Sequence, residues 1–239
     1  MTVSSELSAA GAGGGAAAGA ADGGEPRGRV PDFFIVGHPK TGTTALYEML
    51  RRHPQVYMPD LKEPSFLAPD QPRRFQRAAS GALPGTLEDY LALFVPARSD
   101  QRVGEASSAY LVSHLAPSRI AEIQPAARII AILREPASLL RSLHLQLVQG
   151  HVETEKDLRK AISLETARRE GRRIPPRSPR PEALQYSERV RYVEQLRRYH
   201  AVFPREQVLV LVYDDFRRDN EATVRGVLRF LDVDDRVPV

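Results

Sequence analysis

The stretch Phe33 to Leu50, FFIVGHPKTGTTALYEML, decides how this chain of 239 residues folds. An apolar run, Phe33 to Val36, enters a loop bracketed by Gly37 and Gly42, and the residues beyond it place Leu46, Met49 and Leu50 at helical spacing. A strand, a glycine-bounded loop and a helix N-terminus in succession form an anion site, because consecutive backbone N–H groups converge and the helix dipole adds partial positive charge. The pattern predicts Thr43 and Thr44 as caps and hydroxyl donors, with Lys40 at the loop apex over the anion. A plain glycine-containing turn is the bland alternative. Against it, the chain has only four lysines, Lys40, Lys62, Lys156 and Lys160, and one of them lies in this loop.

Outward from this unit, short apolar runs alternate with helical patterns. The expected elements are a strand over 32–36, helices over 43–52 and 87–94, a strand over 128–133, helices over 136–149, 155–169 and 186–202, a strand over 207–212 and a helix over 220–231. That alternation predicts an α/β fold, a doubly wound, mostly parallel sheet flanked by helices. IIAIL (129–133) and VLVLV (208–212) are continuous apolar runs, which predicts central strands covered on both faces. Val190, Val193, Leu196, Tyr199 and Val202 predict a core-facing stripe on the 186–202 helix. Residues 8–24 are Ala/Gly low complexity, so 1–29 reads as a disordered tail and 30–239 as the folded domain.

Composition narrows the chemistry. With no cysteine there are no disulfides, thiolate metal sites or thiol nucleophiles. No apolar run approaches the roughly 18 residues that span a bilayer, so the expected location is the cytoplasm, with no membrane partner. The formal charge of +4 is concentrated: six arginines against Glu170 make 168–181 net +5, so the remainder is slightly acidic. A spread basic face with interleaved aromatics is missing, and no nucleic-acid partner is expected. RRIPPRSPRP (172–181) is expected to be an exposed loop.

The loop departs from the triphosphate pattern G-x-x-x-x-G-K-[ST]. Position 43 is Thr, the lysine stands three residues earlier, and the IIAIL run leads into Arg134 where a Mg²⁺-binding acid would be needed. Pro39-Lys40-Thr41-Gly42-Thr43-Thr44 after an apolar strand instead resembles the 5′-phosphosulfate loop of sulfotransferases that use 3′-phosphoadenosine 5′-phosphosulfate (PAPS), the bacterial and Golgi glycan-type family. Lys62-Glu63-Pro64-Ser65-Phe66-Leu67 resembles that family's K-E-x-x-F-F segment. Arg134-Glu135-Pro136 followed by Arg141-Ser142 resembles its 3′-phosphate motif, and Tyr192–Leu196 and Phe203–Asp215 resemble later segments.

The resemblance implies that a sulfuryl group passes from PAPS to a hydroxyl or amine of a small-molecule or glycan acceptor, releasing adenosine 3′,5′-bisphosphate with no metal. It implies Lys40 on the bridging and leaving oxygens, with Thr41, Gly42, Thr43 and Thr44 on the 5′-phosphate. Arg134 and Ser142 are implied for the 3′-phosphate, and Glu63 as the base. His114 and His144 are rival bases, and His38, inside the loop, is expected to face the cofactor. Two other readings stand beside this one: a Mg²⁺-dependent P-loop kinase with Asp214 on the metal, and a non-catalytic nucleotide- or polyanion-binding module built on the Arg-rich loop. The segment Gly104 to Tyr110 lacks the lysine that glycan-type members carry after the Glu. Members also continue past the equivalent of Phe230-Leu231 into a closing loop, so closure is expected from elsewhere, with 168–181 the candidate, or the enzyme is a shortened one.

Overall fold

The computed structural model describes residues 29–71, 83–178 and 181–238, so the expected tail lies outside it apart from its last residue. Strand β1 (Phe33–Gly37) is buried throughout and pairs in parallel with β3 (Arg102–Ala106) on one side and β4 (Arg128–Leu133) on the other. Strand β2 (Val56–Tyr57) extends the sheet beyond β3 and β5 (Val208–Val212) extends it beyond β4, giving the parallel order β2-β3-β1-β4-β5.

Side chains alternate across a strand, so β1 and β4 feed two cores. Phe34, Val36, Ile129 and Ala131 face α2 (Leu87–Ala92), α3 (Ala116–Ile123) and α7 (Tyr192–His200), where Tyr90, Ile120 and Tyr199 are buried. Phe33, Ile35, Ile130 and Ile132 face α1 (Thr43–Arg51) and α9 (Asn220–Phe230) through Leu46, Leu50, Val224 and Leu228. Gly104 permits the close approach of β3 and β1, since a Cβ there would lie 2.2 Å from the Phe33 ring. The doubly wound parallel sheet is as expected.

Three expectations fail for identifiable reasons. VLVLV forms the edge strand β5, not a central one; its outer face is open, with Val210 39% and Val212 46% exposed. The 186–202 helix is interrupted at Arg191, after a 3₁₀ turn over Ser187–Val190, so α7 starts late and its buried face carries Gln195 and Tyr199 while Val193 is 63% exposed. The 155–169 helix breaks at Leu164 into α5 (Leu158–Ser163) and α6 (Glu165–Arg169).

Beyond that break, Arg168 is not part of an exposed basic loop. It is 1% exposed and donates from both terminal nitrogens to the buried Glu153 carboxylate at 2.7 Å. Tyr186 donates to the same carboxylate at 3.0 Å, and His144 of α4 (Pro136–Gln149) hydrogen-bonds the Tyr186 hydroxyl. This cluster ties the 153–186 segment to the back of α4. Removing one member of a buried, hydrogen-bonded pair strands the other charge, so Arg168→Ala is expected to lower unfolding free energy by about 3–5 kcal/mol in urea titration. Arg172→Ala, at an exposed pair with Glu170, is expected to leave the unfolding midpoint where it was.

Candidate active site

The loop after β1 turns on two left-handed residues, Lys40 (φ 75°) and Gly42 (φ 93°). Gly42 is the N-cap of α1, and no side chain caps the helix. Thr43 and Thr44 therefore do not act as caps; they are the first helical residues, Thr43 buried and Thr44 exposed. Thr41 turns inward, its hydroxyl and its N–H both donating to the His38 carbonyl, at 2.8 and 3.3 Å, which closes the loop on itself. The α1 N-terminus thus keeps its backbone donors for a ligand. At α4 the corresponding groups are taken, because Glu135 accepts from the Ala137 and Ser138 N–H groups at 2.9 and 2.7 Å. The N-terminal amides are therefore open at α1 and occupied at α4.

Arg134 follows β4 at the same carboxyl edge of the sheet, where open α/β sheets receive ligands. One terminal nitrogen donates to the Lys40 carbonyl at 2.9 Å, and the guanidinium lies 4.8 Å over the Tyr213 ring. Its Nε is buried without a hydrogen-bond partner among the described residues. The Lys40 ammonium makes no ion pair with any described residue, and the side chain is exposed.

A cleft of about 470 Å³ gathers Pro39, Lys40, Gly42, Thr43, Thr44, Glu63, Arg134, Ser142, Gln146 and Tyr213. It unites the residues picked from sequence except Thr41, whose side chain is fully buried under the loop. Ser142 and Gln146 lie four residues apart on one face of α4. Gln146 was missed by the sequence reading; its spacing from Ser142 was the available signal, and its buried Oε1 has no partner among the described residues.

Glu63 enters from a turn in which Glu63 (φ 64°) and Ser65 (φ 49°) are both left-handed. The carboxylate accepts from Lys62 at 2.8 Å and from the N–H and hydroxyl of Ser108 at 3.1 and 2.6 Å. The histidines lie elsewhere. His38 does not face the cleft; it is fully buried, hydrogen-bonded to Gln195, and pushed down to about 3 by desolvation and by the nearby Arg189 and Arg198, so it stays neutral. His144 is buried against Tyr186, and His114 is exposed beside a separate cleft with Gln185 and Arg189. Asp214 is exposed on α8 (Tyr213–Arg218), outside the lining of the Lys40 cleft.

Residues 31–236 match the model of the sulfotransferase family. The chain belongs to that family. A solved sulfotransferase from Alicyclobacillus acidocaldarius superposes with a TM-score of 0.76 at 32% identity, covering 87% of this chain and 83% of that one. A mouse sulfotransferase solved in complex with PAP shares the fold, with a TM-score of 0.53 at 17% identity over 88% of this chain and 61% of that one. Among curated proteins, the human bifunctional heparan sulfate N-deacetylase/N-sulfotransferase 3 is 30% identical over 210 residues, 86% of this chain and 22% of that protein. Human carbohydrate sulfotransferase 15 is 30% identical over 160 residues, 51% of this chain and 28% of that protein. The chain spans less than a third of these curated relatives.

In this sulfotransferase domain the loop conformation has a checkable cost. A Cβ on Gly42 would sit 2.8 Å from the Tyr213 ring at a φ that disfavours it, so Gly42→Ala is expected to destabilise by about 1–3 kcal/mol in chemical denaturation. Lys40 occupies a left-handed position that glycine fills without strain. Lys40→Gly is expected to raise stability by about 1 kcal/mol in the same measurement, which would show that the ammonium is held there at the expense of the fold.

Proposed function

We propose that this domain transfers a sulfuryl group from PAPS to a hydroxyl or amine of a glycan or small-molecule acceptor, releasing adenosine 3′,5′-bisphosphate. The observation that carries the reading is the convergence of Lys40, the uncapped α1 N-terminus, Arg134 and Glu63 on one cleft. The donor set fits a nucleotide with two separate anionic groups: the Arg134 guanidinium, whose Nε has no partner among the described residues, suits one, and the α1 amides suit the other. The cleft volume is in the range of small-ligand sites. Bound PAPS supplies an activated sulfuryl group whose leaving group is a phosphate.

Each side chain then has a task. Lys40 and the α1 amides neutralise charge that grows on the leaving phosphate oxygen as the bond to sulfur breaks, a stabilisation that is preorganised because the loop is closed by Thr41. Arg134, oriented by Tyr213 and the Lys40 carbonyl, and Ser142 hold the 3′-phosphate. Glu63 takes the proton from the acceptor oxygen or nitrogen as the new bond to sulfur forms. Gln146 lines the same cleft one helical turn beyond Ser142. The names of the heparan and carbohydrate sulfotransferase relatives favour a glycan acceptor. The kinase reading is weaker: Asp214, the residue it would place on the metal, is absent from the cleft lining. A polyanion module built on the Arg-rich loop loses Arg168 to a buried ion pair.

Titration calorimetry tests this directly. Adenosine 3′,5′-bisphosphate is expected to bind in the presence of EDTA, and Arg134→Ala to weaken binding about 10- to 100-fold. With radiolabelled PAPS and desulfated heparan as the probe acceptor, Glu63→Gln is expected to lower turnover about 100- to 10,000-fold while bisphosphate affinity holds. Metal-dependent ATP turnover that survives Lys40→Ala would instead establish the kinase reading.

A further inference from the structure

Beneath the Glu63–Ser65 turn lies a carboxyl group that the mechanism leaves unused. Glu105, on β3, is fully buried, and three hydroxyl donors converge on it: Ser107 at 2.5 Å, Tyr90 of α2 at 3.0 Å, and Tyr110. Ser107 is the hinge of the arrangement. Its hydroxyl donates to Glu105 and at the same time accepts the Ser65 N–H at 3.0 Å. Ser65 closes the left-handed Glu63–Pro64–Ser65 turn, which is otherwise pinned by the Glu63 N–H on the Ala106 carbonyl at 3.0 Å. Tyr110 repeats the device one step on, accepting the Leu67 N–H at 3.3 Å.

Two non-glycine residues flanking a proline in the left-handed region stay there only if their surroundings over-determine them. Here the surroundings include the Ser107 hydroxyl on the Ser65 N–H and, just beyond the turn, the Tyr110 hydroxyl on the Leu67 N–H, both oriented by Glu105. We propose that Glu105 is the positioning residue for Glu63: its carboxylate orients Ser107, and through Ser107 it fixes the strained turn that presents Glu63 to the cleft. This rests on the reading of Glu63 as the base.

The arrangement is sensitive to protonation. An ionised carboxylate accepts from all three hydroxyls, whereas a neutral carboxyl carries its own O–H, which needs an acceptor among the same hydroxyls and reorients them. Burial raises the Glu105 carboxyl, the three hydroxyl donors oppose that, and the Glu63 charge adds to it, bringing it to about 7. The titratable groups facing it are Tyr90 from α2, Tyr110 from the loop after β3, Tyr199 from α7, and Glu63, itself paired with Lys62, from the turn. The tyrosines are all held above their usual range and stay neutral, which leaves Glu105 as the group that changes near neutrality. Because its folded value lies above that of an unfolded glutamate, its titration stabilises the fold at low pH and withdraws that stability as pH rises through about 7. The turn is ordered for catalysis above about 7, where Glu105 is charged.

The test measures transfer of labelled sulfate from PAPS to desulfated heparan across pH 5.5 to 8.5, together with hydrogen-exchange protection of the Ser65 amide. The wild-type kcat is expected to fall on the acid side with a midpoint near 7. Glu105→Gln is expected to lose that limb, to show kcat reduced about 10-fold at pH 8 with KM and bisphosphate affinity within about twofold, and to lose Ser65 protection. Ser107→Ala, which removes only the relaying hydroxyl, is expected to match it in kcat and in exchange, and decides the matter if Glu105→Gln does not fold. A Glu105→Gln enzyme that keeps the wild-type acid limb, or a Ser107→Ala enzyme with wild-type kcat and Ser65 protection, overturns the proposal. Glu63→Gln, run in parallel, separates the two layers. Full activity there removes the base reading itself, while a dead Glu63→Gln beside an unperturbed Glu105→Gln removes only the positioning role.

Discussion

The site depends on the backbone conformation of the five residues between β1 and α1. A parallel strand buried on both faces delivers its chain to the carboxyl edge of the sheet, where the polypeptide must reverse into a helix within a few residues. Left-handed conformations at Lys40 and Gly42 make that reversal, and they leave α1 without a side-chain cap. A serine or aspartate at position 42 would quiet the helix terminus by accepting its N–H groups, as Glu135 does at α4. Glycine leaves them open. The two helices that start at the same sheet edge therefore differ in kind: one end is electrically satisfied and the other is available to an anion.

Charge counting does not locate the site in this protein. The excess of arginine suggests a spread basic surface, yet many of the arginines already have partners within the molecule. Arg168 is buried on Glu153, Arg128 and Arg102 reach the carbonyls of Phe230 and Leu231, and Arg51, Arg98, Arg191, Arg225 and Arg236 pair with neighbouring carboxylates. Such surface pairs contribute little and leave little field. Lys40 and Arg134 differ by position more than by charge. Each follows a strand at the carboxyl edge, and neither has a described carboxylate partner.

What could be read from sequence follows from this division. The β1–loop–α1 unit and β4–α4 were legible because local signals agree there: an apolar run, a glycine or a proline at the boundary, and helical periodicity beyond. The bounds of β4 and α4 were anticipated to the residue. The short strands β2 and β3 were not, since RVGEA carries one large apolar side chain and a buried glutamate, and its strand character comes from pairing with β1. Nor does VLVLV reveal whether its outer face is covered. Gln195 broke the helical stripe because its partners, His38 and the Glu188 carbonyl, are 157 and 7 residues away. Within the site, Lys40, Arg134, Ser142 and Glu63 were visible as motif positions, whereas Gln146 was signalled only by its spacing from Ser142 and Glu105 only by its three-dimensional neighbours.

The strain is distributed in a way that links these observations. Six described non-glycine residues have positive φ, and three of them, Lys40, Glu63 and Ser65, belong to the two segments that meet in the cleft. A residue in that region costs of order 1–3 kcal/mol, so a chain selected for stability alone would place glycine there. At Lys40 the cost is offset locally by the Arg134 contact to its carbonyl and by the Thr41 bonds that close the loop on the His38 carbonyl. At Glu63 and Ser65 it is offset by hydrogen bonds from β3 and the residues after it, and these lead down to a buried carboxylate. The two segments thus solve one problem in different ways. The loop holds its lysine by closing on itself through Thr41 and leaves the ammonium exposed, free to meet a phosphate. The turn is held from beneath, as the proposed role of Glu63 would require, since a base must be fixed relative to a proton that belongs to another molecule. A cation tolerates some freedom in direction, since Coulomb attraction is not directional, but proton transfer requires hydrogen-bond geometry. The heavier scaffolding under Glu63 is what the proposed role as base calls for.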